Sequence, residues 1–486
     1  MTAPRLRNAI IGAVALVGLT MPSVSSGQAL SPAAPAIDPD GLFRGATNDP
    51  YQLALRAYVW GYPLVRAAQL RQNITLPPPP DSGRPAPPLS APLNHIGHAR
   101  ALATPDMKQG VAPNNDTLYS LAWLDTNDGP FVLETPDFGT RYYTFQMGQA
   151  DTWTTQSPGQ RTNGSHLPAV FIQGPDQHQS VPAGMMSVRS TQRYMMIAGR
   201  ILVKGTDDLP AVHALQDRIV LRRYADYMAK RQVPTPVGAQ RPLTDAVSAA
   251  SPSLGFLDML GNVLRDWRVT PTDAELVASF AQIGLTPSEG FRPERLSAVQ
   301  RVSLTRGVAA GEKAVRAETL TLGTRVNGWG INYAGSQFGS DYLLRAAVAM
   351  DQIYVLPTEE ALYPNARTDG SGRELDGRKS YVLRFAKAQL PPVKSFWSAT
   401  MYFAKGLLVP NPIARYSIGD RTPGLAYERD GSLELVMQHD RPKDSTVNWL
   451  PTPDAPFMLM LRLYNPEAAV LDRCWTPPAI TETATR

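Results

Sequence analysis

From residue 118 onward, apolar side chains recur at every second position. The run LYSLAWLD at 118–125 sets the pattern, and 131–135, 141–148, 168–173 and 192–204 repeat it between turns of Gly, Pro and Asp. A period of two sends alternate side chains to opposite faces of a strand. Many short strands between such turns specify a sandwich or barrel. The pattern returns at 380–386, 395–403, 424–428, 433–439 and 457–464. Between the two blocks, 209–231, 273–283, 298–320 and 341–350 read at helical spacing. The expected fold is mainly β with a helical insert: two β-sandwich or jelly-roll-like lobes joined by helices. At 486 residues the chain is long for one domain, which agrees with two lobes.

The first 29 residues have a different layout. Arg5 and Arg7 precede the apolar run AIIGAVALVGL at 9–19, and the small-residue stretch PSVSSGQA follows at 22–29. This is the order of a secretory signal peptide, with cleavage expected near Ser26 or Ala29. The apolar run is shorter than a bilayer span needs. A periplasmic or secreted protein without a membrane anchor after cleavage is therefore expected. A linker at 30–48 leads to a helix that Asp49 can cap and Pro50 can open. The helix should end before the Pro-rich segment 77–92, an extended loop. The expected organisation is an N-terminal domain at 49–207, a helical connecting region at 208–326, a C-terminal β domain at 327–478 and a tail at 479–486.

Net charge is +5, and acids and bases interleave without a basic run, so no nucleic-acid partner is expected. The single cysteine, Cys474, allows no disulfide within the chain and reads as a small packed residue.

Several uncommon strings occur in a fixed order. YVWGYPL at 58–64, NHIGHAR at 94–100, PNNDTLYS at 113–120 and RYY at 141–143 resemble the bacterial domain of unknown function numbered 1254. LDG at 375–377, FWSATMY at 396–402, RYSIG at 415–419, NWLP at 448–451 and LRLY at 461–464 resemble its usual partner, the domain numbered 1214. The resemblance implies two β-sandwich-like lobes joined by helices and implies no reaction.

The candidate chemistry starts at PNNDTLYS. Pro, Asn and Asp build turns, because the side chains bond nearby backbone. The same groups can also hold a ligand. Asn114 and Asn115 offer donors and acceptors, Asp116 an anionic acceptor, and Tyr119 a ring with a donor. His95 and His98 have i, i+3 spacing, but two imidazoles do not make a zinc site, so no metal is expected. No nucleophile elbow and no phosphate loop occurs, and no cofactor is expected. The Gly-rich passage 328–341 can place Trp329, Asn332, Tyr333 and Gln337 along an inter-domain cleft, with Ser340 capping the next helix. The Arg and aromatic strings around 396–402 and 462–464 read as sandwich core with Arg on the outer face. Two functions follow. One is binding of a polar, sugar-like or phosphorylated small molecule in an inter-domain cleft. The other is a hydrolase or lyase in which Asp116 and His98 are catalytic and Asn114, Asn115, Tyr119, Trp329, Tyr333 and Gln337 bind the ligand. A homo-oligomer is compatible with either.

Overall fold

The structure is a computed structural model that describes residues 41–78, 86–107, 112–231, 233, 235, 237–243 and 254–485. The expected signal peptide, the expected linker up to residue 40, the middle of the Pro-rich segment and Gly110-Val111 lie outside the described residues.

Four sheets stack in two pairs. In the N-terminal pair, a five-stranded sheet has the order Ile96–His98, β1 (Thr117–Asp125), β3 (Tyr194–Leu202), β2 (Tyr143–Gln149), Thr154–Gln156. It faces a four-stranded sheet of Met186–Arg189, Val170–Gln173, Phe131–Glu134 and Val220–Arg223. Leu118, Ala122 and Leu124 of β1, Phe145 and Met147 of β2, and Phe131, Val170 and Ile172 of the second sheet fill the space between. The C-terminal pair sets a seven-stranded sheet around the long strands β4 (Val393–Phe403) and β5 (Phe457–Pro466) against a four-stranded sheet. Trp397, Leu459, Leu461, Leu383 and Leu435 form that core.

The expected mainly-β class needs correction, because helix and strand take 27% each. The helices are more than an insert. α1 (Pro50–Thr75), α2 (Gly255–Leu264), α3 (Ala298–Thr321) and α4 (Tyr342–Asp351) share an apolar core built from Leu53, Trp60, Leu257, Leu304, Val315 and Leu343. Helix α1 therefore packs with helices that begin 180 or more residues after it ends. Its start follows the expected chemistry, with Asp49 Oδ1 accepting the Tyr51 N–H at 3.1 Å and Pro50 in the first turn. Two glycines let α3 lie close to α1: a Cβ on Gly307 would stand 2.3 Å from the Tyr51 carbonyl oxygen, and one on Gly311 2.8 Å from Tyr58 Cβ.

Other differences are local. The stretch 209–231 is not one helix. Leu209–Gln216 and Tyr224–Met228 are helical, and Val220–Arg223 between them pairs with Phe131–Glu134. The expected strand at 424–428 is a turn region holding only the bridge from Tyr427 to Leu433. Asp341, not Ser340, caps α4, accepting the Leu344 N–H. Ile480–Thr483 of the expected tail is an edge strand on Ser380–Phe385. Cys474 is exposed rather than packed. Among the described residues, no helix is long and apolar enough to cross a membrane.

Candidate functional site

Strand alternation determines what meets where the two sheet pairs touch. Since Leu118, Ala122 and Leu124 point into the N-terminal core, Tyr119 points the other way. Arg200 of β3 and Gln146 of β2 share that outer face, joined to Tyr119 by hydrogen bonds. Across the gap, Leu459, Leu461 and Leu463 of β5 point into the C-terminal core, so Arg462 and Tyr464 point out. Ser398, Thr400 and Tyr402 do the same on β4. The two outer faces meet in a seam that is buried but polar.

The turn 113–116 enters β1 along this seam. Asn114 Oδ1 accepts the N–H groups of Asp116 at 2.7 Å and Thr117 at 3.1 Å, which is its turn role. Its Nδ2 donates to Tyr464 Oη at 2.6 Å, which ties the turn to the other lobe. Asp116 is 3% exposed. Ser398 Oγ donates to its Oδ2 at 2.7 Å, and Arg421 Nη2 donates to its Oδ1 at 2.8 Å. Tyr402 Oη donates to the Pro113 carbonyl at 2.7 Å, and Arg462 Nη2 donates to the Ala112 carbonyl at 2.9 Å. The turn role of PNNDTLYS and its contacts with the other lobe are thus carried by the same residues. Asn115 is half-buried and its amide makes no hydrogen bond among the described residues.

Arg200 and Arg462 are the unusual members. They are 6% and 2% exposed and sit on facing sheets. Arg200 donates through Nε to Tyr119 Oη at 3.1 Å and through Nη1 to Gln146 Oε1 at 2.9 Å. Arg462 donates to Thr400 Oγ1 at 2.8 Å and to Tyr402 Oη at 2.7 Å. Neither forms an ion pair among the described residues. The carboxylates at the seam are already engaged, Asp116 by Arg421 and Glu360 by Arg161 at 2.8 Å. Glu360 also accepts from Tyr142 Oη at 2.7 Å. Burial works to lower both guanidiniums, but the tyrosines around them, and for Arg462 also the nearby Asp116 carboxylate, more than offset it and both lie above the ordinary arginine value. Burial likewise raises Tyr363 and Tyr464, so these phenols are protonated donors at neutral pH. Tyr363 feels both arginines, and its hydroxyl makes no hydrogen bond among the described residues. Tyr119, Tyr363, Asn114 and Asn115 are half-buried, so solvent reaches the seam there.

The remaining candidates stand elsewhere. His98 lies on the core side of the same sheet, its Nδ1 2.9 Å from Ser120 Oγ. Burial, then Arg100, pushes its imidazole down to about 4. It is therefore neutral at pH 7 and separated from Asp116 by the sheet. Trp329 is buried in the C-terminal core and donates through Nε1 to the Pro478 carbonyl at 2.8 Å. Tyr333 lies under the Arg473 guanidinium at 4.6 Å, Asn332 holds its own turn, and Gln337 is exposed. None of these is brought to Asn114. Among the described residues, no three His, Cys, Asp or Glu side chains gather as a metal-ligand set. Sequence reasoning missed Arg200, Tyr363 and Arg421, and placed Arg462 on an outer face without seeing that another lobe covers it. The available signal was a lone arginine inside each apolar strand, YMMIAGRIL and FMLMLRLYNP.

No curated protein matches the chain. Among solved structures, the VPA0106 protein from Vibrio parahaemolyticus superposes with a TM-score of 0.66 at 23% identity, over 90% of this chain and 100% of that one. At that identity the likeness speaks for the fold alone. A putative uncharacterized protein from Burkholderia cenocepacia gives a TM-score of 0.41 at 12% identity, over 92% of each chain. Two family models, each described as a protein of unknown function, match the chain: DUF1254 over residues 93–223 and DUF1214 over residues 360–468. The chain thus combines a DUF1254 match and a DUF1214 match, in that order from the N-terminus, and the seam lies between them.

Proposed function

We propose that the protein binds a small anionic, oxygen-rich molecule at the seam between its lobes. One observation carries this reading: two buried guanidiniums, Arg200 and Arg462, face the seam from opposite sheets without a carboxylate partner. Burying a charge is costly unless it is paired. A carboxylate or phosphate ester would supply the missing charge, and a guanidinium presents a fork suited to either group. Tyr119, Tyr363 and the free amide of Asn115 offer further hydrogen bonds to ligand oxygens. The export-like pattern of the first 29 residues favours placing this binding outside the cytoplasm. The hydrolase or lyase alternative needs Asp116 as acid or base. Both of its oxygens are occupied by Arg421 and Ser398, which favours binding over catalysis.

The test is a thermal-shift and calorimetric screen of carboxylates, phosphate esters and neutral sugars against wild type, Arg200→Met and Arg462→Met. Ligand at 100 times its Kd adds about 2.7 kcal/mol of stability. Anionic ligands should raise the wild-type midpoint, less so in high salt, and neither variant should respond. A neutral sugar that binds both variants as well as wild type would refute the reading. So would the absence of any response to anions.

A further inference from the structure

The same outer face of the N-terminal sheet carries a second feature at its far end, under α1. A cavity of about 20 Å3 lies between Leu64 and Arg71 of α1, Trp123 of β1, Tyr194 of β3, and Asp266 and Trp267 just after α2. Three buried donors on residues that line it have no hydrogen-bond partner among the described residues: the indole N–H groups of Trp123 and Trp267 and the hydroxyl of Tyr194. These residues are 1%, 8% and 3% exposed. An indole N–H can only donate, and buried donors are seldom left unmade.

The charges in the wall are unequal. Arg71 is 6% exposed, its guanidinium 3.5 Å above the Tyr194 ring. Its Nε donates to Gln240 Oε1 at 2.9 Å, and it forms no ion pair among the described residues. Asp266 is already held by Arg193 at 2.7 Å, with Arg241 at 4.0 Å. The occupant must therefore accept several hydrogen bonds and balance a cation. The volume admits roughly one water-sized particle and no organic molecule. A water accepts only two hydrogen bonds and brings two protons that need acceptors of their own, whereas a halide accepts from every side.

We propose that this cavity is a halide site that holds one chloride-sized anion against Trp123, Trp267, Tyr194 and Arg71. The anion joins α1 to the sheet it covers. The proposal is independent of the seam reading, because the two sites share no residue.

Two measurements on the whole protein test it. The first is diffraction at the bromine absorption edge from a bromide-soaked crystal, where an anomalous peak inside the cavity is expected. The second compares thermal midpoints in sodium chloride and sodium methanesulfonate, whose anion is neither a carboxylate nor a phosphate ester, at equal ionic strength. Chloride should raise the wild-type midpoint by mass action. Tyr194→Phe keeps the ring and removes one donor, so half-saturation should need about tenfold more chloride. A water without anomalous signal would overturn the proposal, as would equal wild-type midpoints in the two salts. If Tyr194→Phe fails to fold, the wild-type bromide map decides.

Discussion

One strand, β5, takes part in two interfaces of opposite character. Its inward residues Phe457, Leu459, Leu461 and Leu463 join the apolar core of the C-terminal lobe. Its outward residues Arg462 and Tyr464 are buried as deeply, at 2% and 0% exposure, yet meet polar groups from the other lobe. The first face is what a sandwich needs for stability. The second is a costly way to join two lobes, since apolar side chains of equal volume would serve at least as well. The unpaired arginine on that outer face is what motivates the proposed function.

That contrast can be broken in four ways. Leu461→Ala opens a hole in the apolar face and should lose about 2–5 kcal/mol in urea unfolding. If it loses no more than an exposed site would, the inner face is not the main support of the lobe. Asp116→Asn leaves Arg421 only its longer pair with Asp420 at 3.5 Å and should lose about 2–3 kcal/mol, the lower side for a buried pair because Arg421 also keeps 23% of its side chain in solvent. Arg462→Met leaves Thr400, Tyr402 and the Ala112 carbonyl without their donor and should lose about 1–3 kcal/mol, while abolishing the response to anions. A larger loss there would make the arginine a structural post and remove the basis of the proposed function.

The smallest effect concerns His98 on the core side of the sheet. Its imidazole titrates near 4 in the folded chain and at 6.5 when unperturbed. As pH falls, the unfolded chain takes up that proton first. Stability present above pH 6.5 should therefore decline as pH drops toward 4, and His98→Gln should remove that part of the slope. An unchanged pH profile in the variant would mean that the imidazole is more solvated than its place beside Ser120 implies.

What could be read from the sequence follows from how local each signal is. The observed strand Thr117–Asp125 begins one residue before its expected bound, because its alternation is complete within the strand. Asp49 and Pro50 open α1 as expected, because a cap depends on the next few residues. The strand Val220–Arg223 was hidden, since VLRR shows no alternation, and only its partner Phe131–Glu134 makes it a strand. The site shows the same limit. The polar turn 113–116 stood out, but whether it faced a ligand depended on Ser398, Arg421 and Tyr464. A lone arginine in an apolar strand looks like an outward residue, and it is one. The sequence does not show that another lobe covers that outer face.

The seam also has a history within each molecule. The bonds from its turn at 112–116 join residues 282 to 350 positions apart, from Asp116–Ser398 to Asn114–Tyr464. Contacts so distant along the chain carry a large loop-closure cost and form late. On the ribosome, the N-terminal sheet is complete long before Arg462 is synthesised. The proposed ligand site is thus assembled late, and an anion bound there would select chains whose two lobes have both finished folding.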